Sequence, residues 1–225
     1  MLNTNKVIPT LVVDDFFDNP DGVRALALQQ QYTKDPNNHW PGKRSPMLHE
    51  IDHGFFVYTI NKVLSLFYYT GADVKSPEME INWQAFANFQ LVDSSYGSGW
   101  IHRDNTLITG IIYLNKEYNP NSGTSIFLQK EGWGSINYKE KEKFLNGEMT
   151  YQEVEKFRLE NHAQYEEVIN IKNRYNRLVI FDSNMHHAAN DFITANNNEE
   201  RLTLVFFINR LDVLKTPIQR MNTTL

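Results

Sequence analysis

The sequence predicts a mainly β fold of the jelly-roll type, with a helical layer ahead of it and a helical insertion inside it. Three observations carry that expectation. Short runs of β-branched and aromatic residues recur from residue 81 to residue 209, separated by turns rich in Gly, Pro, Ser and Asn. Residues 1–70 carry helix signals instead, and one polar block, 139–161, breaks the strands with helical spacing. Of the 225 residues, 41% are hydrophobic and 22% charged, so one packed domain is expected and disorder is not.

The chain opens with a strand, a turn and a helix. IPTLVVDDFF reads as the strand. In DNPDGVRALALQQQ, Asn19 supplies an N-cap and Pro20 takes the first helical position, where its missing N–H costs nothing. Val23, Leu26 and Ala27 give that helix its apolar stripe. YTKDPNNHWPGKRSP reads as a long loop. Residues 54–70 read as a buried helix, with Phe56, Ile60, Val63, Leu64 and Phe67 near helical spacing.

The period then changes to two. In EINWQAFANFQLV, the alternation of Ile81, Trp83, Ala85, Ala87, Phe89 and Leu91 requires a strand. Further strands are expected at 107–114, 124–128, 166–171, 177–182 and 201–209. Within 139–161, two short polar helices are expected, with a capping box formed by Thr150 and Glu153. KNRYNR at 172–177 reads as a solvated turn, and the asparagine run at 196–198 as a mobile loop. The expected organisation is one domain: helical support over 1–79, a β core over 80–210, and a tail over 211–225.

Composition excludes several functions. The absence of cysteine removes disulfides, thiolate metal sites and a cysteine nucleophile. A net charge of −5 makes the chain a poor generic binder of phosphate backbones, so duplex DNA is not an expected partner. No apolar run reaches the ~18 residues of a membrane span. MLNTNKVIPTLVVDDFF has no signal-peptide pattern, and a cytoplasmic protein is expected. Nothing in the pattern sets an oligomeric state.

Three places carry chemistry. In WIHRDN, His102 and Asp104 are two apart on an extended segment and point the same way. RLVIFDSNMHHAAN runs a strand into two adjacent histidines, His186 and His187, of which extended backbone sends only one inward. ERLTLVFFIN places Arg201, Thr203, Val205 and Phe207 on one face and Leu202, Leu204, Phe206 and Ile208 on the other. An Arg and a Thr opening an apolar face suit a carboxylate, held by two parallel guanidinium bonds and a hydroxyl. Taken singly, each has a plain reading as a surface or satisfied polar residue. Their order says more. Two histidines and one carboxylate leave three metal positions open, the arrangement of non-haem Fe(II) oxygenases.

On these residues the sequence resembles the Fe(II)/2-oxoglutarate-dependent oxygenase superfamily, on its prolyl-hydroxylase-like side, over roughly residues 80–210. His102 and Asp104 match the family's His-x-Asp. TGIIYLNKEY matches a strand that often reads Tyr-Leu-Asn, which points to Tyr113. Gly123 and Thr124 match a Gly-Gly-x step, with Ser122 in place of the first Gly. The family's distal His follows its strand's Phe by a spacing that leads from Phe181 to His187. Arg201 and Thr203 match Arg-x-Ser/Thr, with Arg177 as the nearest rival anchor. The longer stretch NDFITANNNEE before Arg201 and the 139–161 block depart from the pattern. The whole chain further looks like oxygenases of bacteria and marine phages.

The resemblance implies a double-stranded β-helix core, cupin-like in shape. It implies Fe(II) on His102, Asp104 and His187, each histidine a neutral imidazole. It implies 2-oxoglutarate as cosubstrate, anchored by Arg201 with Thr203 and Tyr113, and O2 as oxidant, giving succinate and CO2. Related halogenases replace the carboxylate by a small residue, so Asp104 implies hydroxylation, or demethylation where the product collapses. The expected substrate is a small molecule or a protein side chain, ranked above duplex DNA, with a nucleobase kept as an alternative because the superfamily contains such enzymes. The loop around Trp40, Lys43 and Arg44, the 139–161 block and Trp100 are candidates to shape its pocket. The alternatives are a non-catalytic jelly-roll metal-binding or virion-associated module, and a cupin-like enzyme holding Zn2+ or Mn2+. The Arg201–Thr203 pair argues against the last.

Overall fold

The structure, a computed structural model, describes residues 8–36, 40–68, 81–130, 143, 148, 150–194 and 199–213. In chain order its elements are β1 (Thr10–Val13), α1 (Pro20–Leu28), β2 (Thr33–Lys34), β3 (Lys43–Met47), α2 (Leu48–Ile51), α3 (His53–Leu64), β4 (Asn82–Val92), β5 (Ile108–Tyr113), β6 (Thr124–Gln129), α4 (Tyr151–His162), β7 (Tyr165–Ile171), β8 (Leu178–Asp182), β9 (His186–Ala189) and β10 (Arg201–Asp212). Among the described residues the strands form two antiparallel sheets. The larger runs β1-β8-β5-β10-β4-β3-β2 and the smaller β7-β6-β9. This is the expected mainly β jelly roll with flanking helices.

The alternation in β10 decides what lies on each side of the larger sheet. Leu202, Leu204, Phe206 and Ile208 are all nearly inaccessible and join Ala87, Phe89, Ile112 and Ile180 in one core. That core is closed by Val23 and Ala27 of α1 and by Phe56, Ile60, Val63 and Leu64 of α3. Burying each large apolar side chain contributes about 1.5–3 kcal/mol. Gly110 sits opposite Phe206 across β5 and β10, and the Phe206 ring occupies the space that a Cβ at Gly110 would need. The other face of the sheet looks toward the smaller sheet. There Tyr113, Val179 and Phe181 meet Ile126 and Ile171.

The local signals act as the sequence indicates at both helix caps. Asn19 Oδ1 accepts from the Gly22 N–H at 3.0 Å. The Thr150 N–H donates to Glu153 Oε2 at 2.8 Å, and the Glu153 N–H returns to Thr150 Oγ1 at 3.3 Å. Helix α3 ends at Leu64, short of the expected residue 70, where Ser65 Oγ turns back onto Lys62 O at 2.7 Å.

Elsewhere the structure corrects the sequence reading. The expected loop over 32–46 contains the edge strand β2 and most of its neighbour β3. Pro46 is tolerated there because the β3–β4 register shifts between Arg44 and Met47, at the sheet's margin. The turn over 172–177 is more than solvated. Asn176 is buried in a left-handed conformation (φ 60°), its amide accepting from Phe17 N–H and donating to Phe17 O, both at 2.9 Å. The residues after the 177–182 strand form a strand of their own, β9. Strand β10 runs to Asp212, past the expected end. Most of the first half of the 139–161 block, the 196–198 run and the tail beyond 213 lie outside the described residues. Among the described residues no helix is long and apolar enough to cross a membrane.

Candidate metal centre and anion cleft

His102 and His187 come together because their backbones pair. They form an isolated antiparallel bridge, with the His102 N–H on His187 O at 3.0 Å and the His187 N–H on His102 O at 2.9 Å. Two residues on, the Asp104 N–H donates to Ser183 O at 3.0 Å. Asp104 Oδ2 then lies 3.3 Å from His187 Nε2, and Oδ1 lies 3.6 Å from His102 Nε2. One ligand atom from each of the three residues falls within 4.8 Å of the others. His186 points away, its Nε2 accepting from Arg103 Nε at 2.9 Å. Of the two adjacent histidines, the inward one is therefore His187.

The two imidazoles are aimed by the main chain. His102 Nδ1 is 2.8 Å from Trp100 O, and His187 Nδ1 is 2.9 Å from Met185 O. A carbonyl oxygen only accepts, so each Nδ1 carries a proton and each Nε2 is turned to the shared point. Asp104 is held by Thr109, whose hydroxyl donates to Oδ2 at 2.6 Å. Thr109 in turn meets Ser183 Oγ at 2.8 Å, and Ser183 meets Thr106 Oγ1 at 2.7 Å. Burial alone would push the Asp104 carboxyl up. The neighbouring His187 and His102 and the Thr109 hydroxyl outweigh it and bring the pKa to about 2, so the group is an anion near neutral pH. Two imidazole nitrogens and one carboxylate facing a common point suit a borderline divalent ion such as Fe(II), with coordination positions left over.

A second polar cluster lies on the same inner face. Arg201 is 3% exposed. Its Nε donates to Ser122 O at 3.0 Å, and its guanidinium carbon sits 5.3 Å from the Tyr113 ring centre and 5.5 Å from that of Phe192. Arg201 Nη2 and Thr203 Oγ1 are both buried without a hydrogen-bond partner. A buried polar group left in that state costs about 1–3 kcal/mol, more where it is charged. The Tyr113 hydroxyl meets Thr124 Oγ1 at 2.8 Å. Burial pulls the Arg201 guanidinium below its ordinary value and pushes the Tyr113 phenol above its own.

Strand β6 touches both clusters. Thr124, which holds Tyr113, and Ile126, which pairs with His187, lie on one face two residues apart, roughly 7 Å along the strand.

The structure thus brings His102, Asp104 and His187 together, and gathers Arg201, Thr203 and Tyr113 beside them. Arg177, the rival anchor, is not among them: its Nε and Nη2 bind the two oxygens of Asp14 at 2.6 and 3.0 Å. Trp100 packs against Phe157 and His162 of α4, 6.2 and 6.3 Å between ring centres, so its ring belongs to the insertion's contact. Sequence reasoning missed Thr109, Ser183, Ser122 and Asn115. Asn115 clamps the start of β10, accepting from Leu202 N–H at 2.7 Å and donating to Glu200 O at 3.0 Å. Thr109 had a readable signal as a polar residue sharing the parity of Ile111 and Tyr113 in an apolar strand, and Asn115 had one as the Asn of the Tyr-Leu-Asn match.

The fold is shared with HygX from Streptomyces hygroscopicus. The form with nickel and 2-oxoglutarate bound matches at TM-score 0.51 and 15% identity, over 90% of this chain and 83% of that one. The form with nickel, 2-oxoglutarate and hygromycin B bound matches at TM-score 0.52 and 14% identity, over the same shares. No curated protein sequence matches the chain. At the level of sequence, the family of unknown function DUF6445 matches residues 2–208, nearly the whole of the jelly roll and its helical layer, and the chain belongs to that family.

Proposed function

We propose that this chain is an Fe(II)- and 2-oxoglutarate-dependent dioxygenase that hydroxylates a small molecule or a protein side chain. The balance is substrate C–H, O2 and 2-oxoglutarate in, and alcohol, succinate and CO2 out. The observation that carries this reading is the pair of orphaned groups, Arg201 Nη2 and Thr203 Oγ1, buried on the same inner face as the His102–Asp104–His187 cluster. A lone metal site would not need a buried, half-unsatisfied guanidinium beside it. A dicarboxylate with a chelating keto-acid end and a distal carboxylate satisfies both. The fold shared with HygX, which holds nickel and 2-oxoglutarate, supports the same assignment.

In this reading His102, Asp104 and His187 hold the metal, and the backbone carbonyls of Trp100 and Met185 keep both imidazoles in the ligating tautomer. Arg201 and Thr203 take the far carboxylate, and Tyr113 stacks against the Arg201 head. Bound there, Fe(II) would supply activation of O2 and the oxidising power for C–H cleavage. Asp104 fills the position that a halide would need, which favours hydroxylation.

The test is succinate release from 2-oxoglutarate by the purified chain. Dependence on Fe(II) and O2, with loss in His102→Ala and Asp104→Ala, supports the proposal. Metal binding that creates no 2-oxoglutarate affinity would overturn it in favour of a non-catalytic module.

A further inference from the structure

A second cation stands on the inner face of the larger sheet. Arg44 faces Gln90 across β3 and β4, Gln90 faces Thr203 across β4 and β10, and Thr203 faces Tyr113 across β10 and β5. Directly opposed residues of antiparallel strands share a face, so these four form one row. Tyr113 and Thr203 of the anion cleft lie at one end and Arg44 at the other.

The Arg44 side chain leans out of that row toward the metal cluster. Its guanidinium carbon is 4.4 Å from the Trp40 ring centre and 5.9 Å from that of Phe207. Phe207 stacks on Phe86 at 4.9 Å and pairs with Thr109, whose hydroxyl holds Asp104. Arg44 Nε is buried without a hydrogen-bond partner. Among the described residues the guanidinium has no ion pair either. Its neighbour Lys43, one residue back, reaches Glu200 at 2.9 Å.

A desolvated cation with open donors is expensive unless an anion meets it. The local environment registers that cost: burial brings Arg44 down to about 10, against the opposing charges of Asp104 and Asp35. Trp40 covers one face of the guanidinium plane, which leaves the in-plane N–H groups for a two-pronged acceptor. Phe207 and Phe86 give the same corner an apolar wall.

We infer that Arg44 anchors an oxyanion, a carboxylate or a phosphate, on the primary substrate, with Trp40 and Phe207 flanking the substrate's apolar body. The inference deepens the dioxygenase reading and rests on it in calling the ligand a substrate. It separates two cationic posts by position: Arg201 for the cosubstrate, Arg44 for the molecule to be oxidised.

The test is calorimetric titration of the chain loaded with Ni(II) and 2-oxoglutarate, using benzoate and phenyl phosphate as probes and benzamide as the uncharged counterpart. At least one anion is expected to bind about tenfold more tightly than benzamide, and Arg44→Gln is expected to abolish that preference. Whichever probe binds better tells carboxylate from phosphate. Arg44→Gln should leave 2-oxoglutarate affinity within about twofold, whereas Arg201→Ala should not. Arg44→Lys, which keeps the charge and loses the fork, should fall between and serves as the variant if the Gln form fails to fold. Equal binding of anion and amide by the wild type, unchanged anion binding in Arg44→Gln, or a loss of 2-oxoglutarate affinity in Arg44→Gln as large as in Arg201→Ala overturns the inference. The same titrations on metal-free protein keep the outcomes apart. Failure of 2-oxoglutarate to bind with metal defeats the dioxygenase reading, while the anion preference still reports on Arg44.

Discussion

His102 and His187 exchange both of their main-chain hydrogen bonds, at 3.0 and 2.9 Å. The metal-facing imidazoles are therefore fixed by a rung of sheet pairing and by two carbonyls, Trp100 O and Met185 O, rather than by loop packing. The third ligand, Asp104, depends on a side-chain relay through Thr109, Ser183 and Thr106. The relay is the part that substitution can loosen without disturbing the fold.

Thr109→Val keeps the shape and removes the hydroxyl that holds Asp104 Oδ2. Divalent-metal affinity is expected to fall about 10–100-fold, as for other residues that orient a ligand from behind. Anaerobic titration with Fe(II) or Mn(II) reads it, and an unchanged melting temperature shows that the fold is intact. Affinity equal to wild type would remove Thr109 from the account.

Arg201→Ala should raise the 2-oxoglutarate concentration needed for half-maximal succinate release on the order of 10²-fold, the usual size for truncating one partner of a buried charge pair. Arg201→Lys should recover only part of it, because a single ammonium cannot reproduce the fork that Ser122 O positions. A shift in maximal rate with no change in cosubstrate requirement would contradict the assigned role.

Asn176 ties the N-terminal segment to the large sheet through both directions of one amide. Asn176→Ala loses two hydrogen bonds and puts at φ 60° a residue that adopts the left-handed region less readily than asparagine. Destabilisation of about 2–4 kcal/mol is expected in urea unfolding. Asn176→Gly relieves the backbone part alone and should lie nearer wild type.

Acid should weaken the contact between α4 and the segment before His102. Burial, with the nearby Arg158, lowers His162 from 6.5 to about 4, and its Nε2 accepts from the Ile101 N–H at 3.1 Å. Between those two pH values the unfolded chain binds the proton and the folded one does not, so stability rises with pH across the window. The melting temperature should drop by a few degrees as pH falls from 6.5 toward 4. His186 is lowered over the same range by burial and the nearby Arg103, so His162→Gln should reduce that slope by about half, and a slope unchanged in the variant would exclude His162 as a source.

Much of this was legible in the chain because alternation is a local signal. The parity of Arg201, Thr203, Val205 and Phe207 could be read without knowing β10's partners, and so could the apolar face that meets the helices. The short motif around His102 and Asp104 was legible for the same reason. What stayed hidden depends on partners distant in sequence. Strand β3 is held against β4 by Asn88 Nδ2 and Gln90 Nε2, which bind the carbonyls of Ser45 and Pro41 at 3.0 and 2.9 Å, and nothing in KRSPM announces that. Ser122 contributes its carbonyl to Arg201, an atom every residue has, so its identity gives no hint of the task.

The parity of β10 also exposes a weakness. Side chains change faces with every step along a strand, so one extra codon between Thr203 and Phe207 would turn Arg201 and Thr203 toward the helical layer. His102, Asp104 and His187 sit on other segments and would stay where they are. A lineage carrying such an indel would keep the His–Asp–His cluster and lose the buried guanidinium and hydroxyl beside it, so this strand is where the two halves of the site would come apart.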